Sequence, residues 1–106
     1  KAGADGIMIH SRLKEPDEIF NFAKLFRSYF KHVPLVCVPT SYNHVRENDL
    51  QNIGFNIVIY ANHLMRSSYP AMQSVAESIL KYGRSAEVDK ELISIKDVLE
   101  LIPGTK

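Results

Sequence analysis

Three short apolar runs along this chain each end in a polar cluster: Gly6 to Ser11, Leu35 to Asn43 and Ile57 to His63. A segment with helical spacing follows each one. Near-continuous Ile, Val and Leu runs of this length read as parallel strands buried on both faces, with helices covering the two sides of the sheet. In parallel α/β proteins the chemistry collects just beyond the strand carboxyl ends. His10, Ser11, Thr40, Asn62 and His63 are therefore the candidate site residues.

The first strand spans Gly6 to His10, and Gly3 reads as the residue that ends an upstream helix. Ser11 to Glu15 form a polar loop. Pro16 suits a first helical turn, where its missing N–H costs nothing, and Asp17 and Glu18 favour the positive end of the helix dipole. Ile19, Phe22, Ala23, Phe26 and Phe30 fall on one helical face, with Asn21, Lys24, Arg27 and Lys31 on the other. Phe20 and Leu25 lie off the stripe and suggest a second contact. Val33-Pro34 closes that helix, because a residue before proline is pushed out of the α region.

Leu35 to Val38 reads as the second strand. A short helix from about Arg46 to Ile53 ends at Gly54, and Phe55 to Tyr60 forms the third strand. Ser67 or Ser68 can cap the next helix, which makes Pro70 a first-turn residue. Met72, Val75, Ala76, Ile79 and Leu80 make its apolar stripe, and Gly83 ends it. After a polar connection, Ser94 and Asp97 resemble a capping pair for a last helix, Ile95 to Leu101. Strand starts lie roughly 22 to 30 residues apart, as in successive βα units. The expected architecture is α/β, one domain over residues 1–106, with about three βα units plus terminal helices.

Composition narrows the function. The 106 residues are 45% hydrophobic and 24% charged, with a net charge of +1, so the basic stripe of a nucleic-acid binder is missing. The sequence has no run of the roughly 18 apolar residues that a membrane span needs. The single cysteine, Cys37, falls inside a strand and fits a small core residue and a reducing, cytoplasmic compartment. The opening Lys1-Ala2-Gly3 resembles a helix tail, so the chain reads as a fragment of a larger protein.

His10 is the strongest candidate. An imidazole at a strand mouth can hydrogen-bond an anionic substrate or shuttle a proton; the alternative is a histidine satisfying a backbone carbonyl. Ser11 either touches the same ligand or turns the loop. The hydroxyl of Thr40 could bind substrate oxygen or cap its loop, and Asn62 could orient a ligand or hold the rim. His63, His44 and His32 are weaker. The histidines lack the i, i+4 spacing of zinc helices, and no phosphate-binding glycine loop is present. No pair of carboxylates sits at the strand mouths to supply the hard oxygens of a magnesium site.

The strings GADGIMIHS, PLVCVPTSYN and GFNIVIYANHLMRSS resemble the carboxyl-terminal part of the phosphoenolpyruvate mutase family, in the isocitrate lyase superfamily. The SIKDVLELIP tail follows more loosely. The resemblance implies the carboxyl-terminal portion of a (β/α)8 TIM-type barrel, with these strings as its sixth, seventh and eighth strands. It further implies interconversion of phosphoenolpyruvate and phosphonopyruvate, the C–P bond-forming step of phosphonate biosynthesis, with Mg²⁺ as cofactor. His10 matches the family's strand-end histidine against the transferring phosphoryl group. The nucleophilic aspartate, the magnesium ligands and the gating loop are expected upstream. The family also forms homo-oligomers that exchange a terminal helix. Arg12 stands where relatives often carry lysine, and Tyr60 where some carry tryptophan. Phosphonopyruvate hydrolysis and 2-methylisocitrate-type C–C cleavage use the same scaffold and are the alternative reactions. A small receiver-like binding module would carry acidic residues after its first strand, whereas these mouths carry His10, Thr40 and Asn62.

Overall fold

The computed structural model describes residues 2–104; Lys1, expected in a helix tail, lies outside them. The chain divides into two compact units, residues 1–61 and 62–106.

The first unit runs β1 (Ile7–Ile9), α1 (Asp17–Tyr29), β2 (Leu35–Cys37), α2 (Glu47–Ile53) and β3 (Ile57–Val58). The strands form one parallel sheet in the order β1-β2-β3, with Ile7 opposite Leu35 and Val36 opposite Ile57. Each strand is shorter than its apolar run. The pairing nevertheless reaches beyond β3, because Asn56 N–H donates to Leu35 O and Ile59 N–H to Cys37 O, both at 2.9 Å.

Period-2 alternation divides the sheet into two faces. Ile7, Ile9, Leu35, Cys37 and Val58 face a core made with Ile19 and Ala23 of α1, Leu50 of α2, and Tyr42 and Phe55. Met8 and Ile57, on the opposite face, are 63% and 50% exposed. This corrects the expectation of strands buried on both sides. Helices α1 and α2 cover one face, and none of the described residues of this unit covers the other. Side chains with this open orientation fill the interior when a barrel closes.

Helix α1 also departs from expectation. Pro16 is its N-cap, with a carbonyl accepting from Phe20 N–H, rather than its first helical residue. Ile19, Ala23 and Phe26 face the sheet, and Phe20 joins the same core, sharing a groove with Ile53 of α2. Phe22 and Phe30, expected inside, instead stack along Phe26 with Leu25 and Tyr29 as an exposed flank.

Arg27, expected on the solvent face, is half-buried and binds four acceptors. Its guanidinium donates to Gly54 O, Phe30 O, Val33 O and Asn56 Oδ1 at 2.5–2.9 Å. The planar fork suits this task because its donors point in fixed, diverging directions. Gly54 is required twice over at this spot. Its φ is +111°, and a Cβ there would come within 2.7 Å of the Arg27 side chain.

The second unit holds α3 (His63–Tyr82), a 3₁₀ turn at Asp89–Glu91 and α4 (Ile95–Glu100). Helix α3 begins earlier than expected and carries Pro70 inside it. Ser67 and Ser68 do not cap it; their hydroxyls donate back to Leu64 O and Met65 O. Leu64, Met65 and Arg66 are good helix formers, which lets the helix start at His63 despite the donor that Pro70 removes. Met72, Val75, Ala76 and Ile79 share an apolar groove with Leu92, while Leu80 lies off it and is exposed. The capping pair of α4 forms as expected: Ser94 Oγ accepts from Asp97 N–H at 3.1 Å and donates to the Asp97 carboxylate at 2.7 Å. No helix among the described residues is long and apolar enough to cross a membrane.

Candidate functional site

His10 is the first residue past β1, and alternation from Met8 carries it to the open face of the sheet. Its side chain is exposed and makes no hydrogen bond to the described residues, so none of their backbone carbonyls holds the imidazole. Because Ile9 pairs with Cys37, His10 stands level with Val38 on the neighbouring strand. Two residues further on, Thr40 is half-buried, and its N–H donates to Val38 O at 2.9 Å. The mouths of β1 and β2 thus lie side by side, with His10 past one strand and Thr40 past the other.

The residue after His10 behaves differently. Ser11 is buried, at 3% exposure. Its hydroxyl donates to Glu18 Oε2 at 2.5 Å and accepts from Leu13 N–H at 3.1 Å. Sequence reasoning missed Glu18 as a partner, although its place in the first turn of α1 was legible.

The loop after β2 is seated by Tyr42, which is wholly buried in the core. Its hydroxyl lacks a hydrogen bond of good geometry and has the Cys37 thiol as a polar neighbour. Burial pushes the Cys37 thiol up to about 11, against a smaller opposing effect of Tyr42. Burial, with the Cys37 charge second, pushes Tyr42 up to about 12. Cys37 is therefore a core thiol and not a nucleophile at neutral pH. At the end of the third run, the Tyr60 hydroxyl donates to Glu47 Oε1 at 2.7 Å and ties that end to the start of α2. Hydrogen bonding to Glu47 is the main cause of the raised Tyr60 pKa.

Asn62 and His63 belong to the second unit. Asn62 is the N-cap of α3, with a carbonyl accepting from Arg66 N–H at 2.9 Å and a side chain that makes no capping bond. His63 is the first residue of that helix and is exposed. Among the described residues no group of three or more His, Cys, Asp or Glu could hold a metal ion.

The model of the family described as phosphoenolpyruvate phosphomutase matches residues 1–80. The chain belongs to this family. It is 45% identical over 102 residues to a phosphonopyruvate hydrolase of Variovorax sp. (strain Pal2), covering 95% of this chain and 34% of that protein. It is 38% identical over 100 residues to a phosphoenolpyruvate phosphomutase of Tetrahymena pyriformis, covering 94% of this chain and 32% of that protein. Among solved structures, a phosphoenolpyruvate phosphomutase from Streptomyces platensis subsp. rosaceus superposes with a TM-score of 0.84 at 31% identity, covering 94% of this chain and 34% of that one. A phosphonopyruvate hydrolase in complex with oxalate and Mg²⁺ superposes with a TM-score of 0.79 at 44% identity, covering 94% and 35%. The chain spans about a third of the length of the curated relatives it matches. The three parallel strands and their helices are a portion of the family's barrel, which accounts for the open sheet face.

Proposed function

We propose that this chain supplies the carboxyl-terminal third of an enzyme that makes or breaks the C–P bond of phosphonopyruvate. The observation that carries the reading is His10, an imidazole with no hydrogen bond among the described residues, just past the carboxyl end of β1, where barrels gather their chemistry. In the first reading the enzyme is a mutase: the phosphoryl group leaves the enol oxygen of phosphoenolpyruvate and joins its methylene carbon. His10 donates a hydrogen bond to the phosphoryl oxygens, whose charge redistributes as the bond to phosphorus shifts. Thr40 and Asn62 are assigned to substrate oxygens. The exposed Leu64, Met65 and Met72 of α3 support a homo-oligomer that exchanges a terminal helix, and the lone cysteine supports a cytoplasmic setting.

A second reading has a specific observation behind it. The identity to a phosphonopyruvate hydrolase is 45%, against 38% to the Tetrahymena mutase. There water cleaves the C–P bond and yields pyruvate and phosphate. For either reaction Mg²⁺ is the proposed cofactor, supported by the hydrolase structure that holds Mg²⁺ and oxalate. The described residues do not fit a magnesium site, since they gather no metal-binding group. The ligands are assigned to the rest of the protein.

The test is ³¹P NMR of the full-length enzyme incubated with phosphonopyruvate and Mg²⁺. A phosphate-ester resonance of phosphoenolpyruvate identifies the mutase, and inorganic phosphate with equimolar pyruvate identifies the hydrolase. An unchanged phosphonate signal overturns both.

A further inference from the structure

We propose that the Ser11–Glu18 pair is the device that positions His10, a role that rests on the assignment of His10 to the substrate. Arg12, Leu13, Lys14 and Glu15 are all exposed, while Ser11 among them is buried. A buried hydroxyl bound to a carboxylate forms a charge-assisted bond, stronger than a neutral one. Its second bond, from Leu13 N–H, turns the chain immediately after the strand. The N-cap of α1, Pro16, has no side chain with which to cap the helix. Glu18, in the first turn, sits where the helix dipole favours a carboxylate, and it reaches back to Ser11. The end of β1 and the start of α1 are thereby tied across the loop.

His10 lies between two anchors. On one side, Ile9 is held in the sheet opposite Cys37. On the other, Ser11 is held by Glu18 and points away from solvent. With both neighbours fixed, the backbone at His10 has little freedom, and its imidazole faces the open side without a hydrogen bond to the described residues. Such preorganisation matters because small displacements of a group at the reacting centre cost large factors in rate. Ser11 and Glu18 are positioning residues and touch no substrate.

Two measurements on the full-length enzyme test this. The first is backbone amide exchange in peptides covering residues 10–16. Ser11→Ala and Glu18→Ala should each speed exchange there, and Lys14→Ala, on the exposed part of the loop, should not. The second is kcat/KM with phosphonopyruvate. Ser11→Ala and Glu18→Ala should each lower it about tenfold, the double variant no further, and Glu18→Gln, which keeps an acceptor oxygen, should recover most of the loss. In a His10→Ala background, Ser11→Ala should have no additional effect. Faster exchange with unchanged kcat/KM overturns the positioning role, as does an equal loss from Ser11→Ala with and without His10. Wild-type enzyme inactive on phosphonopyruvate overturns the proposed function instead. The exchange measurement then decides the clamp by itself, and unchanged exchange in Ser11→Ala refutes it.

Discussion

At His10 the imidazole is exposed at a strand mouth with no hydrogen bond among the described residues, so its replacement by alanine removes one donor and strands none of their buried groups. In the full-length enzyme, His10→Ala should lower kcat/KM about a hundredfold or more, the scale seen when a donor to a developing charge is lost. Steady-state kinetics should show the loss with thermal stability and Mg²⁺ affinity nearly unchanged. Normal turnover, or failure through unfolding alone, would contradict the assigned role. Cys37 and Tyr42 lead to a different measurement. Their folded values, about 11 and about 12, lie above the ordinary 9.0 and 10.0. The folded protein keeps protons that the unfolded chain releases, so raising the pH favours unfolding. Their contribution is complete below about pH 9 and fades as the pH climbs through about 11 for Cys37 and about 12 for Tyr42. Denaturant midpoints of the full-length enzyme should fall over that window, and Cys37→Ala should flatten the slope.

Among the elements, the join between α1 and the start of β3 depends on Arg27. One guanidinium satisfies the carbonyls of Phe30, Val33 and Gly54 and the side chain of Asn56. Asn56 Oδ1 in turn accepts from Leu35 N–H at 3.0 Å, at the head of β2. Arg27→Ala strands two part-buried carbonyls, those of Val33 and Gly54, and should cost the full-length enzyme about 3 kcal/mol, read from urea unfolding. Arg27→Lys should recover only part of this, because an ammonium cannot reproduce a planar fork. A full recovery by lysine would show that charge alone holds the join.

For the whole molecule, the open sheet face and the second unit set the behaviour of this stretch on its own. Met8 and Ile57 are exposed on the sheet, and Leu64 and Leu80 are 85% and 84% exposed on α3. Apolar surface of this extent, beside unpaired strand edges, favours association. The isolated 106-residue chain should sediment as a concentration-dependent mixture and melt over a broad range. A monodisperse monomer with a sharp transition would mean that the open face is closed in solution.

Short apolar runs and helical stripes were enough to place the three strands, the four helices and the strand mouth where His10 stands, though not to tell that one sheet face is open. Apolar runs and a 3.6-residue period act over a single element, so they can be read along the chain. Local chemistry was legible for the same reason: Gly54 and Gly83 end helices in the left-handed region, and Ser94 caps the last one. The tertiary structure alone decided that Arg27 is a join and not a solvent residue, because its partners Gly54 and Asn56 lie 27 and 29 positions away. It also decided that Ser11 is buried against Glu18, 7 positions on, and that Pro70 lies inside a helix. Such outcomes depend on which backbone groups end up close together without water, and hydropathy along one chain carries no record of that.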